Sequence, residues 1–274
     1  MCDELSCGAD YSHMPPIVVP EEKRRAFIKG LMTLPLAAVL ADPVLAAAAG
    51  KDLESLTIKT ASGAATSAVV AYPEQDNAPT LLLIHEWWGL NDQIKSVARE
   101  FAQQGFLTVA VDLYNGNVAT DREGAMKYMK GMDHSWANEA VVAWVNWLKN
   151  NAKGNGKVGT CGWCFGGGWS LNASLLAPVD ATVIYYGNVK KSPADLATLQ
   201  GPILGHFGTL DKNIDEKMVG GFEKSLDAAG KHNYTHHWYT ANHAFANPSG
   251  ARYDADDAAL AWSRTLAFLH KNLQ

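Results

Sequence analysis

The run Thr80-Leu-Leu-Leu-Ile-His85 is apolar from Leu81 to Ile84 with no polar alternation. A strand of this pattern has no solvated face and belongs inside a sheet covered on both sides. Covered sheets are mostly parallel, and every parallel pair needs a crossover, usually a helix. The rest of the chain supplies those parts. Ile94, Val97, Ala98, Phe101 and Ala102 recur at helical spacing, which predicts a helix over 91–104 stopped by Gly105. Ala140, Val141, Trp144, Val145 and Leu148 mark a second amphipathic helix. Strands are expected at 56–59, 67–72, 80–85, 106–111, 157–162, 181–186, 202–207 and 234–239, with helices between them and a last helix near 256–271. The expected fold class is α/β, with a largely parallel sheet and helices on both faces. Sites in such sheets gather at the carboxyl ends of the strands.

Composition narrows the function. The chain has 274 residues, a net charge of −5 and four cysteines, at 2, 7, 161 and 164. A disulfide-stapled scaffold is excluded by that count and length. With no basic cluster beyond the N-terminus, nucleic acid is not expected as a partner.

The N-terminus reads as an address. Lys23-Arg24-Arg25-Ala26-Phe27-Ile28-Lys29 resembles a twin-arginine export signal, and the apolar run from Gly30 to Ala41 is too short to span a bilayer. Small residues from Ala46 to Ala49 offer cleavage sites. Residues 1–48 are therefore expected to be a removable leader and 49–274 a single domain, exported by the twin-arginine machinery to the periplasm or beyond. No stable membrane insertion is expected. Cys2 and Cys7 would be lost with the leader.

The strongest chemical signal is Gly162-Trp163-Cys164-Phe165-Gly166-Gly167, between a strand and a helix-like stretch. It has the form of a nucleophile elbow, Gly-x-nucleophile-x-Gly, with Cys in the place of Ser. The turn is too tight for flanking side chains, hence the glycines. Cys161 and Cys164 also form a C-x-x-C pair, but neither the small-domain context of a redox site nor two further zinc ligands accompany it. Cys161 is expected to pack as a small apolar residue.

A nucleophile needs a base, and the base needs an orienting acid. Asp211 follows the strand at 202–207, and His243 follows the strand at 234–239. Elbow, acid and histidine thus come in the chain order of the α/β-hydrolases. His85-Glu86-Trp87-Trp88-Gly89 begins like a metalloprotease motif, but Gly89 fills the last position and the segment is not helical. Its loop instead supplies one N–H of an oxyanion hole, at Trp87, and Phe165 supplies the other. His236 and His237 are adjacent in a strand and point to opposite faces, so they cannot share a metal. Trp87, Trp88 and Trp163 are candidates for an apolar wall.

From about Thr80 to Leu273 the chain resembles the dienelactone hydrolase family, the cysteine-dependent carboxymethylenebutenolidases. The resemblance rests on Glu86-Trp-Trp-Gly89, Val111-Asp-Leu-Tyr114, Arg122-Glu-Gly-Ala-Met-Lys127, Gly156-Lys-Val-Gly159, the elbow, Tyr185-Tyr-Gly187, Gly208 to Asp211, His237-Trp-Tyr239 and His243-Ala-Phe-Ala246. It implies an α/β-hydrolase fold, a Cys164–His243–Asp211 triad, and a Glu86 that holds the resting thiol. It implies a small lactone or ester as substrate, bound near Arg122 and Tyr185, with no cofactor or metal; a monomer is expected. Relatives acting on dienelactones clamp the ligand carboxylate with two arginines. Arg122 matches one, while the other falls at Asn247, and Ala244 stands where those enzymes carry Ser. A broad carboxylesterase or thioesterase, and a non-catalytic binding protein on the same scaffold, are the alternatives.

Overall fold

The computed structural model describes residues 17–31, 34–51 and 53–274; Cys2 and Cys7 lie outside them. An eight-stranded sheet runs β1 (Glu54–Lys59), β2 (Ala65–Ala71), β4 (Leu107–Val111), β3 (Ala78–Ile84), β5 (Gly154–Trp163), β6 (Ala181–Tyr185), β7 (Ile203–Gly208), β8 (Tyr234–Tyr239) in spatial order. The β1–β2 and β2–β4 pairs are antiparallel and the other five pairs are parallel. This is the sheet of an α/β-hydrolase, as the strand–helix alternation predicts.

β3 is buried at every position and shows why the sheet needs two covers. Leu81 and Leu83 point into one core, with Phe101, Phe106 and Leu269; Leu82 and Ile84 point into the other, with Val109, Trp144 and Val145. The period-2 alternation of a strand thus feeds two apolar layers. One cover is α4 (Asp92–Gln103) with α9 (Ala255–Leu273); the other includes α6 (His134–Lys149). The Asn91 side chain caps α4 by accepting from the Ile94 N–H at 3.2 Å, and Gly105 ends the turn at φ +94°.

The segment expected to be a leader is folded against the sheet's cover. It contains α1 (Glu21–Ile28), α2 (Leu36–Ala41) and α3 (Pro43–Gly50). Asp42 caps α3 by accepting from Val44 N and Leu45 N, and its other oxygen accepts from Arg24 Nε at 2.8 Å. Leu45 is fully buried. Ser96 of α4 donates to the Ala46 carbonyl at 2.8 Å, and Gln93 Nε2 donates to the Leu40 carbonyl at 3.0 Å. Among the described residues no helix is long and apolar enough to cross a membrane.

Candidate active site

β5 carries the chain straight into α7 (Phe165–Leu176) with only Cys164 between them. Cys164 sits at φ +54° and ψ −115°, a region that L residues avoid, and its N–H is tied to the Tyr185 carbonyl at 3.0 Å. Gly162 and Gly166 make the turn possible. A Cβ on Gly162 would strike the Gly166 carbonyl, and one on Gly166 would strike the Ile84 carbonyl at the end of β3. The Gly-x-Cys-x-Gly spacing is therefore a packing requirement at this crossing, and the resulting turn lifts the thiol clear of the sheet.

Three loops meet there. His243 Nε2 lies 3.1 Å from Cys164 Sγ, and His243 Nδ1 lies 2.6 Å from Asp211 Oδ2. The loops after β7 and β8 are pinned together: Leu210 N donates to the Ala241 carbonyl at 3.0 Å, and Gly208 leaves room for that carbonyl to approach. Asp211 Oδ1 accepts from the N–H groups of Asn213 and Ile214, which fixes the carboxylate and leaves Oδ2 for the imidazole. Burial alone would raise the Asp211 pKa; the hydrogen bond and charge of His243 and the two backbone donors outweigh it and hold the carboxyl below its ordinary value. An ionised Asp211 at Nδ1 orients the ring so that Nε2 faces sulfur, the arrangement a general base needs.

Cys161, three residues earlier in β5, is fully buried in the sheet, and desolvation pushes its thiol well above the usual range. Cys161 and Cys164 are not joined in a disulfide. His236 and His237 do face opposite ways, His236 toward Glu223 and His237 toward the His206 ring.

Glu86 follows β3 and lines the same small pocket as Trp87, Trp88, Cys164 and His243, a space of about 60 Å³. His85 sets its position. The Leu113 N–H donates to His85 Nε2 at 3.2 Å, so Nδ1 carries the proton and donates to the Glu86 carbonyl at 2.6 Å. The Glu86 Oε2 accepts from Asn247 Nδ2 at 2.7 Å, while Oε1 has no hydrogen-bond partner among the described residues. Burial raises the Glu86 pKa, and Asn247, His243 and Arg252 only partly offset it. Phe165 opens α7, so its N–H is one of the helix's unclaimed donors beside the thiol.

The substrate-binding expectations fare differently. Arg122 is the first residue of α5 (Arg122–Gly131); it is exposed and lines neither the Cys164 pocket nor the cavity beside it. Asp121 caps this turn from Gly124, holding Arg122 at the solvent end of the helix. Tyr185 is brought to the site as a wall: its ring stacks on Trp163, and its hydroxyl is bonded to Thr265 Oγ1 at 2.6 Å. Arg252 lines the Cys164 pocket. No periodicity or motif marks it; the loop that carries it folds back through Asp254 N to the Phe245 carbonyl at 2.9 Å.

With this geometry in view, comparison with known proteins decides the family. The family model "Dienelactone hydrolase family" matches residues 66–273. The chain belongs to the dienelactone hydrolase family. Its relatives include carboxymethylenebutenolidase from Pseudomonas putida, 29% identical over 227 residues, covering 79% of this chain and 95% of that one. Carboxymethylenebutenolidase 1 from Cupriavidus pinatubonensis is 25% identical over 226 residues, covering 79% and 96%. Among solved structures, a dienelactone hydrolase-like promiscuous phosphotriesterase from metagenomic libraries superposes with a TM-score of 0.72 at 22% identity, covering 81% of this chain and 99% of that one. The fold is that of the α/β-hydrolases, and the family makes this chain a lactone or ester hydrolase.

Proposed function

We propose that the chain hydrolyses a lactone or related ester through a thioester on Cys164. The supporting observation is the single line of contacts from Cys164 Sγ through His243 to Asp211, at 3.1 and 2.6 Å. In the first half-reaction His243 Nε2 takes the thiol proton as sulfur bonds to the carbonyl carbon. The Trp87 and Phe165 N–H groups hold the oxygen that becomes negative. The C–O bond then breaks, and His243 returns the proton to the leaving alkoxide. In a lactone that alkoxide stays tethered to the acyl group. In the second half, His243 takes a proton from water as the water adds to the thioester, and the thiol leaves with that proton restored. Glu86, held beside the pocket by Asn247, lies in the wall next to the thiol, which itself rests on His243.

Cys164→Ala should reduce hydrolysis to background while Cys161→Ala keeps most of it, and of these two thiols iodoacetamide should label Cys164. Comparable activity in both variants would overturn the assignment.

Export remains part of the reading. Arg24-Arg25 and the apolar run that follows support passage through the twin-arginine route to the periplasm or beyond. Cleavage requires α3 to leave α4 first, since Ala46 is buried there. N-terminal sequencing of protein from the native source should find a start between residues 46 and 50; an intact Met1 would refute processing.

A further inference from the structure

Beside the Cys164 pocket lies a second space of about 300 Å³, walled by α2, α4, α9 and the ends of β5 and β6. Ile94, Val97, Trp163 and Trp262 give it an apolar lining that removal of residues 1–48 would leave in place, and Leu36 and Leu40 of α2 close it over in the unprocessed chain. Two residues, Glu86 and Asn247, stand in the walls of both spaces, and they are hydrogen-bonded to each other at 2.7 Å. Trp163, which precedes the nucleophile, extends the same wall.

We propose that this cavity receives the hydrocarbon part of a neutral ester, and that the Glu86–Asn247 pair is the partition between it and the reacting carbonyl. The proposal rests on the hydrolase reading above and names its substrate class. Volume supports it. The pocket at Cys164 has room for little beyond the reacting group, whereas an apolar cavity of about 150 Å³ is known to hold a benzene ring. The larger space therefore suits one ring or a chain of several carbons. Polarity supports it too. Tyr185 has its hydroxyl turned to Thr265, which leaves the Tyr186 hydroxyl as the unsatisfied group of the two tyrosines in the wall. Gln93 has its amide on the Leu40 carbonyl, and the carboxylate of Glu100 at the rim opposes an anionic chain. Arg122 lines neither space, and Arg252, which lines the Cys164 pocket, is not in the walls of the larger cavity. A substrate reaching from Cys164 into the cavity must pass Glu86 and Asn247. Glu86 Oε1 and the Tyr186 hydroxyl are polar atoms in that wall without a partner among the described residues; the hydroxyl, and Glu86 when its carboxyl is protonated, can donate to an ester oxygen.

The test uses the full chain and two series of esters, one lengthening the acyl side from acetate to octanoate and one lengthening the alcohol side of an acetate. In wild type, kcat/KM should rise roughly two- to fourfold per methylene in one series until the cavity is filled. Ala258→Phe, at a half-buried position of α9 in the cavity wall, should lower the hexyl-to-methyl ratio about tenfold or more. A second measurement omits chemistry. Calorimetry on Cys164→Ala should show methyl hexanoate binding more tightly than methyl acetate, and Ala258→Phe added to it should remove that difference. Flat series with chain-independent binding overturn the cavity assignment and leave the hydrolase standing. Chain-dependent binding without any ester hydrolysis in wild type upholds the cavity and overturns the hydrolase reading.

Discussion

Between Trp163 and Gly168 the chain is held in one geometry by backbone packed against backbone at the ends of β3 and β6, whereas the surfaces that would select a substrate are assembled from side chains spread from Leu36 to Trp262. At the elbow, two glycines, the end of β3 and the start of α7 leave Cys164 one backbone conformation, and loops pinned to each other deliver His243 and Asp211. The selecting surface has no such template. It borrows α2 from the N-terminal segment, one face of α4, one face of α9, and a loop carrying Asn247 and Arg252. Reaction chemistry is therefore built into the crossing of strand and helix, while substrate choice rides on parts that can change without disturbing it.

The sharpest way to break this contrast lies in the carboxylate behind the histidine. Asp211→Asn keeps the shape but removes the charge at Nδ1, so kcat should fall by roughly a thousandfold or more with KM little changed. A small effect would mean that His243 does not depend on Asp211 for its orientation. The same variant should lose stability near neutrality. The native Asp211 pKa is depressed, so its contribution is present above the unfolded value and fades as pH falls through the native one.

A smaller effect is expected at Asn247. Asn247→Arg would place a cation on Glu86 and near the Cys164 pocket. It should raise kcat/KM for a carboxylate-bearing lactone relative to a neutral one by roughly tenfold at low ionic strength, the scale of one charge-assisted hydrogen bond. Equal gains for both substrates would show that charge recognition lies elsewhere, with Arg252 the residue to examine next.

The smallest effect concerns Glu86 and has the opposite sign to Asp211. Its native pKa is raised by burial, so it stabilises the fold below the unfolded carboxyl value, and that contribution is lost as pH rises through the native value. Glu86→Gln keeps an acceptor for Asn247 without the buried charge. Its melting temperature should exceed wild type at pH 8, and the gap should close toward pH 4. A gap that does not change with pH would show that ionisation of Glu86 does not burden the fold.

What could be read from the sequence follows the same division. Thr80–His85 and the elbow were legible because each leaves a short local pattern, an unbroken apolar run and Gly-x-Cys-x-Gly, even though the contacts that demand the glycines come from β3 and β6. Asp211 and His243 were legible because both stand just past predicted strands. Arg122 read as a substrate cation from its motif, yet the motif fixes the helix start and not the direction in which that start faces. Arg252 carried no signal because it stands in an irregular loop, closed from Asp254 N to the Phe245 carbonyl, with no strand or helix period to place it. The N-terminal segment read only as a leader, since an Ala- and Leu-rich helix that packs on α4 has the composition of one that is cleaved. Asn247 read as a missing arginine; the sequence could not show that its amide is bonded to Glu86.

The most direct measurement is mass spectrometry of the enzyme quenched during turnover of a chromogenic ester, followed by peptide mapping. A thioester route predicts an acyl adduct on the peptide bearing Cys164, formed at the rate of the initial burst and absent from Cys164→Ala, with Cys161 on the same strand unmodified. Steady hydrolysis with no adduct at Cys164, or undiminished hydrolysis by Cys164→Ala, would contradict it.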